Sequence, residues 1–253
     1  MSIDVSIIIA CYNEEGLLVD SVTEIENVME QTKYTYELIF IDDCSQDRTR
    51  AIIQELVGSR SNASYLFHEK NVGRGGTVCE GIRMAQGKIA GFLDIDLEVH
   101  ARYIPSLLQA IEKDGYDVST AFRVYKIPSG PFMRHVLSVG YRKLVSYYLG
   151  TTEMDTETGF KFFNRERILP VLDSCRNKGW FWDTEVMVLS EKYGLKIKEI
   201  PCLFIRRANK VSTVNVIPDT IDYLKSLWGF KRHIDSLSIE RKTKKSNGYQ
   251  SRS

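Results

Sequence analysis

The stretch Ile89-Ala90-Gly91-Phe92-Leu93-Asp94-Ile95-Asp96-Leu97-Glu98 decides how the chain is read. Its first half, Ile89 to Leu93, is an apolar run with the length of a buried strand. Its second half places Asp94 and Asp96 one residue apart, so in an extended backbone both carboxylates point to the same side. Two like charges at the end of a buried strand repel unless a cation lies between them. A hard divalent ion, Mg2+ or Mn2+, takes oxygen ligands of this kind and commonly holds a phosphate as well. Asp94 and Asp96, with Glu98 as a third oxygen, are therefore candidate metal ligands. The plain alternative is that the acids end a strand and open a turn. A D-x-D alone does not decide between the two; the clusters around it do.

Working outward, three more apolar runs precede this one: Val5 to Ile9, Glu37 to Ile41 and Tyr65 to His68. Each reads as a strand, and each is followed by a polar cluster and then a helical pattern. The helices are expected from about Leu17 to Met29, through Ile52, Ile53 and Leu56 with Ser45 or Asp47 as cap, and from the Asn71–Gly76 stretch to about Ala85. Downstream the pattern predicts a helix over Tyr103 to Lys113, a strand from Asp117 to Phe122 ending at Arg123, and a loop over 125–131. A basic amphipathic segment follows from Phe132 to Leu149, then a strand Phe160 to Phe163. A helix opening at Trp180 and running to about Tyr193, a strand Lys196 to Ile205 and an amphipathic helix Ile217 to Leu237 complete the chain. Alternating strands and helices specify an α/β fold, with a mainly parallel central sheet and helices on both faces. Ligands of such sheets bind outside the carboxyl ends of the strands. Tyr12 to Glu14, Asp42 and Asp43, Asn71 to Gly75, and Asp94 to Glu98 all fall at those ends.

Composition narrows the class. With 43% hydrophobic and 26% charged residues among 253, the chain has the make-up of an ordinary globular protein. A net charge of +1 gives no global field to attract nucleic acid. The five cysteines are scattered without a C-x-x-C pair, so neither a zinc site nor a disulfide framework is indicated. With the first strand read almost at the start, no signal peptide is expected, and no apolar run has membrane-spanning length. The expectation is a cytoplasmic protein, peripheral at most at the inner face of a membrane, where the 132–149 segment or the Trp228 helix would touch lipid, core or a partner protein. A homo-oligomer is left open. The division expected is a catalytic unit over 1–212, a helical extension over 213–237 and a basic disordered tail over 238–253.

Two stretches read in more than one way. Gly73-Arg74-Gly75-Gly76 lacks the G-x-G-x-x-G spacing, since position 78 is Val, but it permits a tight turn with Arg74 near a phosphate. Trp180-Phe181-Trp182-Asp183-Thr184-Glu185 suits a sugar-binding wall and equally suits core packing with Asp183 as a cap.

Taken together, A-C-Y-N-E (10–14), I-D-D-C-S-Q-D-R-T (41–49), N-V-G-R-G (71–75), D-I-D-L-E (94–98) and D-T-E-T-G-F-K (155–161) resemble the inverting family 2 glycosyltransferases of the A-type nucleotide-sugar fold. The order of motifs matches over roughly 1–210, and the dolichol- or polyprenyl-phosphate hexose synthases are the most similar branch. The resemblance implies donor contacts from Ala10, Tyr12, Glu14, Asp42, Asp43, Asn71, Arg74, Asp94, Ile95 and Asp96. It implies a Mg2+ or Mn2+ ion on Asp94 and Asp96, and Asp155 beside the sugar and acceptor. Asp155, Asp96 and Arg123 are the catalytic candidates; Arg123, Arg134, Lys161, Arg206, Arg207 and Lys210 are the acceptor-binding ones. The implied reaction moves a hexose from a UDP- or GDP-sugar to a lipid phosphate. A transferase acting on a saccharide or protein hydroxyl, and a non-catalytic nucleotide-sugar-binding protein, are the competing readings. Two departures stand out: Ala10-Cys11 replaces the family's usual Pro-Thr, and Glu98 stands where the lipid-phosphate branch often has Gln.

Overall fold

A computed structural model describes residues 2–125, 143, 145–152, 154–206 and 223–237. The chain runs β1 (Val5–Cys11), α1 (Leu18–Glu30), β2 (Tyr36–Asp42), α2 (Thr49–Gly58), β3 (Ala63–Phe67), α3 (Arg74–Met84) and β4 (Ile89–Leu93). A short 3-10 turn, Ala101–Tyr103, leads into α4 (Ile104–Glu112). Then follow β5 (Val118–Tyr125), β6 (Phe160–Asn164), α5 (Arg165–Leu172), α6 (Trp182–Lys192) and β7 (Ile197–Phe204), and a helical segment over 223–237.

The seven strands form one sheet in the order β3-β2-β1-β4-β6-β5-β7. β6 is antiparallel to both β4 and β5; the other pairings are parallel. The central strands β1, β2 and β4 are buried on both faces because helices cover both faces, while the edge strands β3 and β7 are only partly buried. Alternation sorts their side chains into two layers. Ile8, Ile39, Ile41, Ala90, Phe92 and Phe163 join α3, α5, α6 and the 223–237 segment. Val5, Ile7, Ile9, Leu38, Phe40, Ile89, Leu93 and Phe162 join α1, α2 and α4. The 223–237 segment contributes Leu227, Phe230 and Ile234 to the first layer, so its apolar stripe is core, while Leu224 and Trp228 face out.

The reversed strand is what positions the site. Because β6 runs against its neighbours, its beginning lies level with the carboxyl end of β4, where Leu93 pairs with Phe160, while beside it β5 runs on past the Thr120–Lys161 pair to Tyr125. The turn 155–159 is thereby delivered to the same edge as Asp94 and Asp96, and the Asp94 N–H donates to the Gly159 carbonyl at 2.8 Å. Four expectations fall wholly or mostly outside the described residues: the 125–131 loop, the 132–149 amphipathic segment, the start of the last helix and the 238–253 tail. One element, α5, was not expected. Its charged start and internal Pro170 hide the helical period, and Asn164 Oδ1 caps it by accepting the Arg167 N–H at 3.2 Å.

Candidate active site

Strands β1, β2 and β4 each end in a turn shaped by the polar residues that follow. Asn13, Cys44 and Leu97, just past β1, β2 and β4, all have left-handed backbones with φ of 57°, 72° and 50°. Such conformations are uncommon outside glycine and persist where surroundings hold them. Side chains latch the first two turns together. The Asn13 N–H donates to Ser45 Oγ at 2.8 Å, the Gln46 N–H to Asn13 Oδ1 at 2.8 Å and the Glu14 N–H to Thr49 Oγ1 at 2.8 Å. Neither expected cap takes the N-cap position of α2, which falls to Arg48; Asp47, one residue earlier, accepts the Thr49 N–H at 3.0 Å.

The two acids after β2 do different work. Asp42 Oδ2 accepts from the Cys44 and Ser45 N–H groups, each at 3.0 Å, and from Arg50 Nε at 2.6 Å. Its Oδ1 is buried with no hydrogen-bond partner among the described residues. Asp43 is saturated: Oδ1 takes the Val72 N–H at 2.8 Å and faces His68 Nδ1 at 2.8 Å, and Oδ2 takes the Gly73 N–H at 2.9 Å. The two N–H groups just before α3 are thus engaged by Asp43. Asn71 turns inward as well, its Nδ2 donating to the Asp43 carbonyl at 3.1 Å. Gly73 (φ 88°) and Gly75 make room for the chain before α6: a Cβ on Gly73 would lie 2.5 Å from the Lys178 carbonyl oxygen, and one on Gly75 would strike Trp182.

Arg74 lies where the phosphate reading puts it, beside the D-x-D, but it is already engaged. Its Nη2 donates to Asp94 Oδ1 at 2.6 Å and its Nη1 to Asp183 Oδ2, with the guanidinium over the Phe92 and Trp180 rings. Burial alone would lower its pKa; the Asp183 and Asp94 charges outweigh that and raise it, so it is a fixed cation. Asp183 also holds Lys161 Nζ at 2.7 Å. The W-F-W-D stretch therefore splits: Phe181 and Trp182 are core, Trp180 is 71% exposed beside Arg74, and Asp183 ties two cations together. Lys161 was expected to meet the acceptor. It is instead fully buried and donates to Asp183 and the Thr158 carbonyl, because β6 turns its side chain into the sheet's interior.

Asp94 is half-exposed and Asp96 nearly buried, and both line a cavity of about 130 Å3 with Glu98, Val99, Arg123, Glu157, Thr158, Gly159, Phe160 and Phe204. Among the described residues no three His, Cys, Asp or Glu side chains converge on one metal position. A two-carboxylate site suits Mg2+ or Mn2+, which is usually held by one or two carboxylates plus substrate phosphates. Glu98 lines the cavity without completing a three-ligand cluster. Across the cavity Arg123 grips Asp155 through two bonds, Nε to Oδ2 at 2.8 Å and Nη2 to Oδ1 at 2.7 Å. Asp155 is 1% exposed. Burial would raise its pKa, but the Arg123 bonds and charge prevail and lower it. Sequence reading did not foresee this pairing, although strand β5 brings Arg123 level with the 155–159 turn. Tyr12 stands open at 52% exposed, Ala10 and Ile95 pack into the core layers, and Arg206 is exposed just beyond β7. Arg134, Arg207 and Lys210 lie outside the described residues.

A mostly parallel sheet with acid clusters on its carboxyl edge and a reversed strand feeding a second acidic turn to that edge defines the A-type glycosyltransferase fold. Residues 6–169 match the model of glycosyl transferase family 2, and the chain belongs to that family. It is 27% identical over 203 residues to glycosyltransferase AglD of Haloferax volcanii, covering 79% of this chain and 32% of that protein. It is 28% identical over 217 residues to dolichyl-phosphate beta-glucosyltransferase of Saccharomyces cerevisiae, covering 78% of this chain and 65% of that protein. The chain thus spans from about a third to somewhat under two thirds of these relatives' length. Among solved structures, it resembles glucosyl-3-phosphoglycerate synthase from Mycobacterium tuberculosis in complex with Mn2+, UDP-glucose and phosphoglyceric acid. The TM-score is 0.65 at 19% identity, over 90% of this chain and 80% of that one, a likeness of fold.

Proposed function

We propose that this protein transfers a hexose from a nucleotide diphosphate sugar, UDP-glucose first among candidates, to a polyprenyl or dolichyl phosphate, with inversion at the anomeric carbon. Two names support the choice of substrates: the relatives called dolichyl-phosphate beta-glucosyltransferase, and the structural neighbour holding UDP-glucose. The single observation that carries the acceptor class is the state of Asp155. A hydroxyl acceptor needs a carboxylate base to take its proton. Asp155, the residue expected to do so, is dry, clamped by Arg123 and of lowered pKa, all of which make it a poor base. A phosphomonoester has a second pKa of about 6, so near neutral pH its oxygen attacks without a base. The acceptor oxygen forms the new bond to the anomeric carbon, the bond to the donor diphosphate breaks, and the nucleoside diphosphate leaves with the electron pair.

In this reading Arg123, still facing the cavity at its rim, and Arg206 bind the acceptor phosphate, joined by Arg134, Arg207 and Lys210. Asp42 Oδ1 offers a buried acceptor to a base N–H, and the open Tyr12 ring offers a surface beside it. Asp43 and Asn71 shape the donor site from behind. Asp94 and Asp96 would hold Mg2+ or Mn2+, which offsets the charge developing on the leaving diphosphate. Replacing Asp96 by Asn should cut transfer by about 100-fold or more and abolish the rise in thermal midpoint produced by UDP with Mn2+. Normal turnover by that variant would refute the metal assignment.

A further inference from the structure

Glu157 is a charged cavity residue to which the foregoing scheme gives no task. Its side chain is 41% exposed, and its nearest cation among the described residues is Arg123 Nη2 at 3.7 Å, beyond hydrogen-bond length. The short bonds of that guanidinium go to Asp155. Asp94, by contrast, is met by Arg74 at 2.6 Å. Beside Glu157, Thr158 is buried, with its hydroxyl on the side of the Asp155 carboxylate. Both residues line the cavity onto which Asp94 and Asp96 open.

The size of that cavity selects what can enter. At about 130 Å3 it is well below the roughly 300–1,000 Å3 of pockets that engulf a whole drug-sized ligand. It therefore contacts one end of a larger ligand and does not enclose the whole. If the diphosphate of a sugar nucleotide is held at Asp94 and Asp96, the group attached to that diphosphate is the sugar. An ionised carboxylate only accepts hydrogen bonds, through two oxygens, and a hexose ring presents neighbouring hydroxyl donors.

We propose that Glu157 is a specificity-determining residue that binds hydroxyls of the transferred hexose, with Thr158 beside it. The assignment rests on the donor-site reading given above and adds to it which side chain distinguishes one sugar from another. Hydrogen bonds to a charged group change affinity by about ten- to a hundredfold, and a stereochemically misplaced hydroxyl forfeits that gain.

The test uses the full chain with Glu157→Ala and Glu157→Gln. Steady-state KM and kcat would be measured with UDP-glucose and with its epimer UDP-galactose, and UDP alone titrated as an inhibitor. The expected result is a KM for UDP-glucose raised about tenfold or more in the Ala variant and less in the Gln variant. The UDP inhibition constant stays within about twofold, and the preference between the two epimers shrinks. These folds follow from loss of charged hydrogen bonds to the sugar alone. A parallel weakening of UDP would overturn the proposal by assigning Glu157 to the diphosphate end. A collapse of kcat at unchanged KM would overturn it by making Glu157 a base. Unchanged kinetics in both variants would overturn it outright. If the unaltered chain bound neither UDP nor UDP-glucose, the donor reading itself would fall, and this assignment with it.

Discussion

At the scale of single residues, the site is organised by charges that neutralise one another before any ligand arrives. Arg123 holds Asp155, Arg74 bridges Asp94 and Asp183, and Lys161 completes the group from below. A buried pair of this kind adds little net stability, but removing one partner leaves an uncompensated charge. Lys161→Ala should therefore lower unfolding free energy by about 3 kcal/mol or more, read as a urea midpoint; a loss below about 1 kcal/mol would mean that Asp183 is served by Arg74 alone. Asp155 makes a pH prediction. Its folded pKa is depressed, so its contribution is complete above the ordinary carboxylate value of about 3.9 and disappears as pH falls below that through the folded value. The stability gap between the unaltered chain and Asp155→Asn should be largest near neutrality and shrink below about pH 4. A gap constant from pH 7 to pH 2 would contradict the charged pairing. The identities of these residues were legible from motif spacing, their partners were not. Nothing in Arg123 or D-T-E-T-G says that the two stretches meet, because the contact depends on strand order.

At the scale of elements, glycines decide how closely the acid-tipped strand and the reversed strand can lie. A Cβ on Gly91 of β4 would strike the Phe162 ring and come within 2.5 Å of the Lys161 carbonyl oxygen. A Cβ on Gly159 would fall on the Asp94 carboxylate. The two substitutions should separate stability from function. Gly91→Ala should cost about 1–3 kcal/mol of stability by overpacking. Gly159→Ala, at a turn, should shift the thermal midpoint less and lose Mn2+-dependent UDP binding, since Asp94 must move. Loss of binding in neither variant would argue against Asp94 as a ligand. The strands themselves were legible, as apolar runs bounded by turns. The direction of β6 was not: Phe160-Lys161-Phe162-Phe163 reads the same whichever way it pairs. Lys161, an acceptor-binding candidate by resemblance, is fully buried in the sheet beside Asp183, a placement that the stretch itself does not announce.

At the scale of the whole molecule, one edge of a two-faced sheet gathers every polar motif that the sequence displays. Six parallel strands end there, and the seventh begins there. The edge is built from strained turns and paired charges that the layered core behind it holds in place. Among the described residues no helix is long and apolar enough to cross a membrane, while the outer face of the 223–237 segment exposes Leu224 and Trp228 beside Lys225 and Arg232. The most direct test of the account is a partition assay with radiolabelled UDP-glucose, Mn2+ and a short-chain polyprenyl phosphate. The account predicts label in the organic phase, dependent on both the metal and the lipid phosphate, and absent with the unphosphorylated alcohol. Transfer to the alcohol or to a soluble hydroxyl acceptor, with none to the lipid phosphate, would contradict it.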